Sequence, residues 1–376
     1  MNEQLRIYDN TLRDGEQTPG VSFPQEVKLN IASMLSEIGV TDIEVGFPAV
    51  SEKEKNTIKT IVQQNLKTRL HVLSRLCQKD IIHALDCGIE NITLFYPAPA
   101  VVRERLGITD QESLFHTMAE LIPFAVQEGI TVKFSCENAS RYDLNTLCNI
   151  YKHAAELGAM FLSYPDTAGI LIPKEVINNV SVIRSHTNTP VSMHCHNDLG
   201  LAVANTIAGY EAGAAEVQAC INGMGERAGN AALEEVLVIL IEKFGMQKRF
   251  NMNIVRELSE YVYKTTHLTP AFNKPQWGKH VFLHESGMHV ESILKKENIY
   301  QAYDPKMIGR QHQVVLGKHS GYALMEHILS HTEISDKKKI LKTIKEKAES
   351  GIINEDTLKE IGLDNNVILA FKKYMY

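Results

Sequence analysis

Eight short runs rich in Val, Ile, Leu and Phe recur over the first 225 residues, and stretches with helical periodicity separate them. Alternation of this kind predicts a parallel sheet with helical crossovers. Eight such units favour closure into a (β/α)8 TIM barrel, and an open doubly wound sheet is the alternative that the pattern leaves open. The predicted strands are Arg6–Leu12, Asp42–Phe47, Arg69–Ser74, Asn91–Tyr96, Thr131–Ser135, Met160–Tyr164, Pro190–His196 and Glu216–Ile221.

The first helical stretch shows the periodicity most clearly. One face of the predicted helix carries Val27, Ile31, Met34, Leu35 and Ile38. Ser22 precedes this stretch with Gln25 three residues later, which is the spacing of a capping box, and Gly39 follows its end. The sequence therefore predicts a helix capped at Ser22 and terminated at Gly39.

The pattern changes after about residue 265. Residues 266–321 are rich in Pro, Gly and His and have little regular periodicity, yet aromatic and apolar residues persist, as in a functional loop region. A lysine-rich helix with a solvated face is expected at Lys337–Glu349. We therefore predict a catalytic barrel domain at residues 1–265, and a linker with a mainly helical C-terminal subdomain at residues 266–376.

Composition excludes several classes of protein. The net charge of −6 argues against a nucleic-acid surface, which would need a basic patch. No run is apolar for the ~20 residues that a membrane span requires. The six cysteines form no CxxC pair, so neither a thiolate zinc cluster nor a disulfide framework is indicated. A cytoplasmic enzyme without nucleic-acid or membrane partners is the expectation.

Unusual polar residues follow seven of the eight predicted strands. In a TIM barrel the active site lies at the carboxyl ends of the strands, so these side chains are expected to converge on one rim. They are Arg13, Asp14 and Gln17 after the first strand, Glu44 in the second, Arg75 after the third, Ser135 and Glu137 after the fifth, Asp166 and Thr167 after the sixth, His194–Asp198 at the seventh and Asn222–Asn230 after the eighth.

A metal site is predicted among these residues. His194 and His196 lie two apart on a strand, so both imidazoles face the same side. Together with the carboxylate of Asp14 they form a facial set suited to a divalent cation, although two ordinary barrel histidines would give the same spacing. Arg13 could simply pair with Asp14 or Glu44, or it could polarise a ketone oxygen and stabilise the resulting alkoxide.

Five motifs resemble those of the 2-isopropylmalate synthase and homocitrate synthase family. They follow one another in order over nearly the whole chain, and the C-terminal two look closest to short homocitrate synthases associated with nitrogenase cofactor assembly. The motifs are Asp9–Gln17, His194–Asp198, Asn222–Asn230, His284–His289 and Leu316–Gly321.

The resemblance implies a metal-dependent condensation of acetyl-CoA with a 2-oxo acid on a TIM barrel. The cation, Mg2+, Mn2+ or Zn2+, would be held by residues that match Asp14, His194, His196 and Asn230. Arg13 would polarise the ketone, Glu137 would lie near the substrate, and Ser135 and Thr167 would contact it, with Gln17 and Glu44 expected beside them. The resemblance also implies a homodimer, in which His289 and Tyr300 form a catalytic pair contributed to the neighbouring subunit's site.

Two departures from the family pattern bear on the substrate. Val102 stands where a histidine is expected after the fourth strand. Lys133 lies near the position of an arginine that binds the distal carboxylate of 2-oxoglutarate, and Arg75 could serve the same purpose, although Lys133 could also point outward to the helices. These cations favour 2-oxoglutarate and homocitrate formation, with 2-isopropylmalate, citramalate or phosphonomethylmalate synthesis as alternatives.

Three further expectations concern function and length. Long leucine-pathway synthases carry a further C-terminal regulatory domain. This chain ends roughly a hundred residues too early for one, so no regulatory domain is expected. A carbon–carbon lyase of the same superfamily is a competing class, since such enzymes share the Arg-Asp pair and the His-x-His motif. A non-catalytic binding barrel is the third class, and Arg13, Asp14, His194, His196 and Asn230 argue against it.

Overall fold

The computed structural model describes residues 5–98, 100–332, 334 and 336–375. The chain forms two compact units, and the boundary between them lies between Leu268 and Thr269. Each unit has its own buried apolar core, and each is described separately below.

The N-terminal unit is a closed barrel of eight parallel strands, which confirms the predicted fold class. Four residues of β1, from Arg6 to Asp9, pair with Glu216 to Ala219 of β8, and this pairing excludes the open doubly wound sheet. The strands are β1 Arg6–Asp9, β2 Asp42–Glu44, β3 Arg69–Arg75, β4 Asn91–Tyr96, β5 Thr131–Cys136, β6 Phe161–Asp166, β7 Val191–Cys195 and β8 Glu216–Ala219.

Helices follow the strands around the outside of this barrel. The loops after β1 and β8 are the long ones, since α1 begins at Gln25 and α9 at Leu233, and α10 lies against α1. The helices of this unit are α1 Gln25–Ile38, α2 Glu52–Val62, α3 Gln78–Asp86, α4 Ala100–Arg105, α5 Gln111–Gln127, α6 Leu144–Glu156, α7 Pro173–Thr187, α8 Ala202–Glu211, α9 Leu233–Phe244 and α10 Met252–Thr266.

The start of α1 differs from the sequence prediction. The helix begins at Gln25 with Pro24 at the N-cap position, and no side chain caps it, so the capping box expected from Ser22 is wrong. Proline fixes φ near the helical value and lacks an N–H, so it can start a helix without a capping side chain. The end agrees with the prediction: Gly39 adopts φ +98°, a left-handed conformation that glycine adopts without steric cost.

Lys28 of α1 is buried, although a lysine is normally exposed. Its ammonium lies 2.6 Å from Glu16 Oε2 and 2.8 Å from Glu54 Oε1. Glu16 belongs to the loop after β1, and Glu54 belongs to α2. Lys28 therefore links the loop after β1 to α1 and α2. The carboxylate of Glu16, although it belongs to the first motif, makes this structural ion pair and does not line the group of polar residues at the strand ends.

Charged side chains also fill the floor of the barrel, at the amino ends of the strands. The ammonium of Lys133 in β5 pairs with the carboxylate of Glu216 in β8, and both side chains are buried. The same ammonium lies 3.4 Å from the centre of the Tyr8 ring. Ser192 donates a hydrogen bond of 2.6 Å to the carboxylate of Glu216. The lysine therefore points into the barrel and not outward to the helices.

A second buried acid, Asp42, completes the floor. Its carboxylate pairs with the guanidinium of Arg6 and lies 2.9 Å from Nε of Arg69 and 2.8 Å from Nε2 of His71. These charge-assisted bonds hold the pKa of Asp42 well below its usual range, although burial alone would raise it. Arg6, Asp42 and Arg69 begin β1, β2 and β3, so the cluster ties together the amino ends of three adjacent strands.

The C-terminal unit is mainly helical, in agreement with the predicted fold class. Two short parallel strands, β9 Leu283–His284 and β10 Gln313–Val314, pair within it. Gly287 and Gly321 lie so close that a Cβ on either would come within 2.9 Å of the other's Cα, which places two of the five motifs side by side. The helices are α11 Gly287–Lys295, α12 Tyr322–Ile328, α13 Lys337–Ala348, α14 Glu355–Glu360 and α15 Asn365–Phe371.

A search of the described residues for a helix long and apolar enough to cross a lipid bilayer finds none.

The floor cluster yields a test of stability. Lys133→Met removes the cation that faces Glu216 and leaves a buried carboxylate with a weaker compensating contact from Arg6, whose Nε lies 3.4 Å from it. Removing one member of a buried ion pair is strongly destabilising, so we expect a loss of roughly 3 kcal/mol in the free energy of unfolding, measured by urea denaturation. Lys53→Met, at an exposed position of α2, is the control. Equal urea midpoints for the two variants would contradict this account of the floor.

Candidate active site

A pocket of about 280 Å3 opens at the carboxyl ends of the barrel strands. Most of the polar residues predicted at strand ends meet there. The predicted residues that line it are Arg13, Asp14, Gln17, Glu44, Ser135, Glu137, Thr167, His194, His196 and Glu226. Four apolar side chains, those of Phe47, Leu73, Phe95 and Pro165, line the same pocket.

Asp14, His194 and His196 form a buried group whose ligand atoms all lie within 4.8 Å of one another. The Nε2 atoms of the two histidines are 3.2 Å apart, and Asp14 Oδ2 lies 3.7 Å from Nε2 of His194 and 3.9 Å from Nε2 of His196. Two imidazole nitrogens at that separation can share one proton, or both can direct a lone pair at a cation. The donor set of two imidazoles and one carboxylate suits a divalent metal.

The protonation states of these three groups favour a cation. Burial lowers the pKa of His194 to about 3, with the neighbouring His196 adding to the effect, and burial also lowers the pKa of His196. Burial would raise the pKa of Asp14, but Arg13, the two histidines and a hydrogen bond from Asn230 outweigh it and lower that pKa to about 2. Near neutral pH the group therefore consists of two neutral imidazoles and a carboxylate, the forms in which these side chains bind metals.

Asn230 lies beside this group and has an unsatisfied acceptor. Its Nδ2 donates hydrogen bonds of 2.9 Å to Asp14 Oδ1 and to the carbonyl of Met224, whereas its buried Oδ1 has no hydrogen-bond partner. Burying an amide oxygen without a hydrogen bond is costly, so an atom that accepts nothing from the protein fits a ligand position. The residues present therefore fit a divalent cation.

Gly225 shows how closely the backbone approaches these side chains. Its φ is +143°, and a Cβ built on it would lie 2.2 Å from Asn230 Nδ2 and 2.8 Å from Asp14 Oδ1. Only a residue without a side chain fits that position, because a methyl group would displace the amide or the carboxylate. The glycines after β8 therefore position the cluster, beyond making a flexible turn.

Arg13 is held between two carboxylates. Its Nε donates to Glu44 Oε2 at 2.6 Å, and its Nη1 donates to Asp14 Oδ2 at 2.8 Å. Asn10 donates a further bond of 2.7 Å to the same oxygen of Glu44. Burial would lower the pKa of Arg13, but the two carboxylates raise it above its usual value, so the guanidinium is a fixed cation beside the Asp14–His194–His196 group. The ion pairs expected for Arg13 are therefore present, and Arg13 also lines the pocket, whereas its action on a ketone oxygen stays a prediction.

Backbone amides orient the carboxylate of Glu137 and the hydroxyl of Thr167. Glu137 Oε2 accepts a hydrogen bond of 2.8 Å from the amide of Ala98, and Thr167 Oγ1 accepts one of 2.9 Å from the amide of Asn138. Because its oxygen accepts from the backbone, the Thr167 hydroxyl can donate its proton toward the pocket. Ser135 lies near the carboxyl end of β5, and its side chain faces the same space.

Two predicted substrate residues do not line this pocket. Lys133 points to the barrel floor, where Glu216 neutralises its ammonium, so the assignment of Lys133 to a distal carboxylate is corrected. Arg75 is occupied by Asp80, whose carboxylate accepts bonds of 2.8 and 3.0 Å from its guanidinium. The prediction for Lys133 failed because of depth. Alternation along β5 places Lys133 on the same face of the strand as Ser135, but it does not determine how deep in the barrel the ammonium lies.

The remaining predicted residues lie on other elements. His289 and Tyr300 belong to the C-terminal unit, where their rings are exposed and their centres lie 4.2 Å apart. Val102, at the position of the expected histidine, is half-buried on α4, and the next residue, Arg103, donates a hydrogen bond of 3.0 Å to the hydroxyl of Tyr96.

Three polar residues that line the pocket were missed by the sequence analysis. They are Thr93 of β4, Ser163 of β6 and Gln218 of β8. Strands of a parallel barrel are buried on both faces and usually apolar, so Glu216 and Gln218 at alternate positions of β8 were a signal that polar groups face the interior. The barrel interior is more polar than the strand-end residues alone indicated.

Comparison with known proteins identifies the family. A family model described as HMGL-like matches residues 4–262. The chain belongs to the HMGL-like family. A second model, described as a homocitrate synthase post-HMGL domain-like region, matches residues 277–351, so the two matches cover parts of both units. This agrees with the resemblance seen in the five motifs.

Relatives within this family carry different names. The chain is 37% identical over 364 residues to "Homocitrate synthase AksA" of Methanopyrus kandleri, with 96% of this chain and 92% of that protein covered. It is 40% identical over 366 residues to "Probable 2-isopropylmalate synthase" of Ignicoccus hospitalis, with the same coverage. Among solved structures, an HMG-CoA lyase from Bacillus subtilis superposes with a TM-score of 0.63 at 18% identity, over 71% of this chain and 95% of the lyase, a likeness of fold.

The lowered pKa of His194 predicts how the stability of the metal-free protein changes with pH. An unfolded histidine titrates near its usual pKa of ~6.5, whereas His194 in the fold titrates near 3, so the unfolded chain binds more protons between these values. The free energy of unfolding should therefore fall as pH falls through that window, and His194→Gln should make the fall shallower. Urea unfolding of EDTA-treated protein between pH 7 and pH 4.5 measures both slopes.

His116→Gln, at an exposed position of α5, is the matched control and is expected to keep the wild-type slope. Identical slopes for wild type and His194→Gln would show that burial of His194 in its neutral form does not contribute to acid sensitivity.

Proposed function

We propose that this protein catalyses the divalent-metal-dependent condensation of acetyl-CoA with a 2-oxo acid. The observation that carries the proposal is the buried Asp14–His194–His196 group with the guanidinium of Arg13 beside it. The names of the relatives, homocitrate synthase and 2-isopropylmalate synthase, support the same class of reaction. Asn230, with its unsatisfied Oδ1, is the fourth protein ligand in this proposal.

Arg13 and the pocket hydroxyls bind and orient the 2-oxo acid. A cation bound by Asp14, His194 and His196 would supply Lewis-acid polarisation of the keto group. The Arg13 guanidinium is held by Glu44 and Asp14, so it can hydrogen-bond a developing oxyanion without reorganising. Ser135 and Thr167 donate to the substrate's oxygens, and Gln17 borders the same space.

The acetyl-CoA half of the reaction needs a base. A methyl C–H next to a thioester is a weak acid, so a positioned side chain must take its proton as the enolate forms. We propose His289 for this role, with Tyr300 and Glu137 orienting or relaying the proton. The methyl carbon then bonds to the keto carbon, and water cleaves the thioester to release CoA.

For the acceptor we propose 2-oxoglutarate, so that the product is homocitrate. The homocitrate synthase named among the relatives and the homocitrate synthase description of the C-terminal match support this choice. With Lys133 on the floor and Arg75 bound to Asp80, the distal carboxylate would rely on hydroxyl donors such as Thr93 and Ser163. The apolar lining of Phe47, Leu73 and Phe95 favours a second candidate, branched 2-oxoisovalerate.

Release of CoA thiol tests the reaction and names the acid. Purified protein with acetyl-CoA and Mg2+ or Mn2+ would be offered 2-oxoglutarate, oxaloacetate, pyruvate, 2-oxoisovalerate, phenylpyruvate and phosphonopyruvate. We expect release with 2-oxoglutarate that EDTA abolishes and that His194→Ala lowers by at least ~100-fold, because the variant loses a metal ligand. Preference for 2-oxoisovalerate would reassign the substrate. Absence of release across the panel with metal bound would overturn the condensation and direct attention to the lyase direction.

A second experiment tests whether two subunits share each site, as we propose. Arg13→Ala and His289→Ala are each expected to be inactive. If the two residues act from different subunits of a homodimer, co-expression gives mixed dimers with one intact site, and statistical assembly restores about a quarter of the wild-type activity. Differently tagged chains allow the mixed dimer to be isolated and assayed. No recovered activity in an isolated mixed dimer would place both residues in the same subunit's site.

A further inference from the structure

Gln218 is the pocket residue best placed to act on the candidate metal ligands. It lies in β8 next to β7, and because Ser192 pairs with Glu216 in the parallel register, Gln218 stands beside His194 two residues further on. Both side chains line the same pocket, and a hydrogen bond with Gln218 is among the contacts that partly offset the lowering of the His194 pKa by burial. Nε2 of His194 faces His196 and Asp14, which leaves Nδ1 as the ring atom for Gln218.

The direction of every hydrogen bond below Gln218 is fixed from the barrel floor. The ammonium of Lys133 can only donate, and the carboxylate of Glu216 can only accept. Ser192 therefore gives its single hydroxyl proton to Glu216, at 2.6 Å. Having donated that proton, the Ser192 oxygen can only accept.

This constraint passes to the amide of Gln218. The contact of 2.8 Å between Gln218 and Ser192 must be a bond donated by the Nε2 amino group, since the serine oxygen can only accept. A longer contact of 3.4 Å joins the same Nε2 to Ser163 Oγ. Because Nε2 of Gln218 is directed at Ser192 and Ser163, its Oε1 is the amide atom that can face His194. An amide oxygen is an acceptor, so the ring nitrogen that meets it must carry the proton.

We propose that Gln218 is a positioning residue that fixes His194 as the Nδ1–H tautomer, so that its unprotonated Nε2 faces the space that Asp14 and His196 also border. The buried Lys133–Glu216 pair sets this tautomer from the barrel floor through Ser192 and Gln218. A histidine ligand usually donates its second N–H to an oxygen, which fixes the ring and raises its basicity. This gives Lys133 a role in the site without any contact with substrate. The proposal rests on the proposed function only in that His194 is a metal ligand.

The test reads the tautomer directly in the metal-free protein. Long-range 1H–15N correlation spectra of 15N-histidine-labelled, EDTA-treated protein distinguish Nδ1–H from Nε2–H imidazoles, and His194→Gln assigns the signal. We expect His194 of the wild type to be the Nδ1–H tautomer near pH 7. We expect Gln218→Leu to give a mixture of tautomers, because the acceptor for Nδ1–H is gone. Gln218→Glu, which keeps an acceptor oxygen, should restore Nδ1–H.

Metal affinity provides the second readout. Titration calorimetry with Mn2+ should show binding to Gln218→Leu weakened by about 10- to 100-fold, as is typical when a residue that orients a ligand is removed. Gln218→Glu should bind Mn2+ within a few-fold of the wild type. Ser163→Ala removes only the longer contact to the same amide, so it is the matched control and should keep the wild-type tautomer. Thermal unfolding of each variant confirms that the comparison is made on folded protein.

The possible results separate this proposal from the proposed reaction. An Nε2–H tautomer in the wild type, or a folded Gln218→Leu that keeps both the tautomer and the affinity for Mn2+, would overturn the role of Gln218 whatever the CoA assay shows. Conversely, a silent CoA assay together with the expected tautomer shift and weakened Mn2+ binding would overturn the condensation and leave the role of Gln218 standing.

Discussion

The parallel pairing of β1 with β8 joins the first and last strands of the barrel, and the geometry of the candidate site depends on it. Asn10 continues the ladder beyond β1 by donating its amide proton to the carbonyl of Ala219 at 2.9 Å, and Thr11 Oγ1 accepts from the amide of Ile221 at the same distance. These bonds hold the loop after β1 against the loop after β8. Asp14 and Asn230, 216 residues apart in sequence, are hydrogen-bonded as a result.

Several buried charges inside the barrel face an opposite charge. On the floor, Lys133 faces Glu216, and Asp42 faces Arg6 and Arg69. At the rim, Arg13 faces Asp14 and Glu44. Such pairs need not stabilise a fold more than apolar packing would, but they exclude alternative arrangements, because any shift of one strand would leave a buried charge unpaired. A site built on these strands is therefore held in a fixed geometry.

The sequence predicted the features that arise from local pattern. The eight strands, the termination of α1 at Gly39 and the convergence of Asp14, His194 and His196 follow from alternation, from glycine and from the rule that strand ends share one rim. Partners distant in the chain were not predictable in this way. The burial of Lys28 depends on Glu54, and the position of Lys133 depends on Glu216, 83 residues further on. Periodicity assigns a side chain to a face, whereas its depth and its partner depend on strand stagger, which the pattern does not contain.

The Asp14–His194–His196 group and the rest of the pocket differ in how firmly their side chains are held. This difference bears on why similar relatives are named for different 2-oxo acid reactions. Asp14, His194 and Arg13 are fixed by neighbouring loops and by each other, so a change at any of them would disturb the others. Away from that group, the hydroxyl of Thr93 on β4 and the apolar side chain of Leu73 on β3 line the pocket, and the contact of Thr93 is with the Tyr8 hydroxyl and not with the charged group. Under the proposed function, substitutions there would change the pocket from one that accepts a carboxylate to one that accepts a branched hydrocarbon, while the groups proposed to act on the keto function would stay in place. In the proposed reaction, discrimination between acids would therefore fall to the groups away from the proposed cation site, since a missing hydrogen-bond partner costs more than a missing methylene.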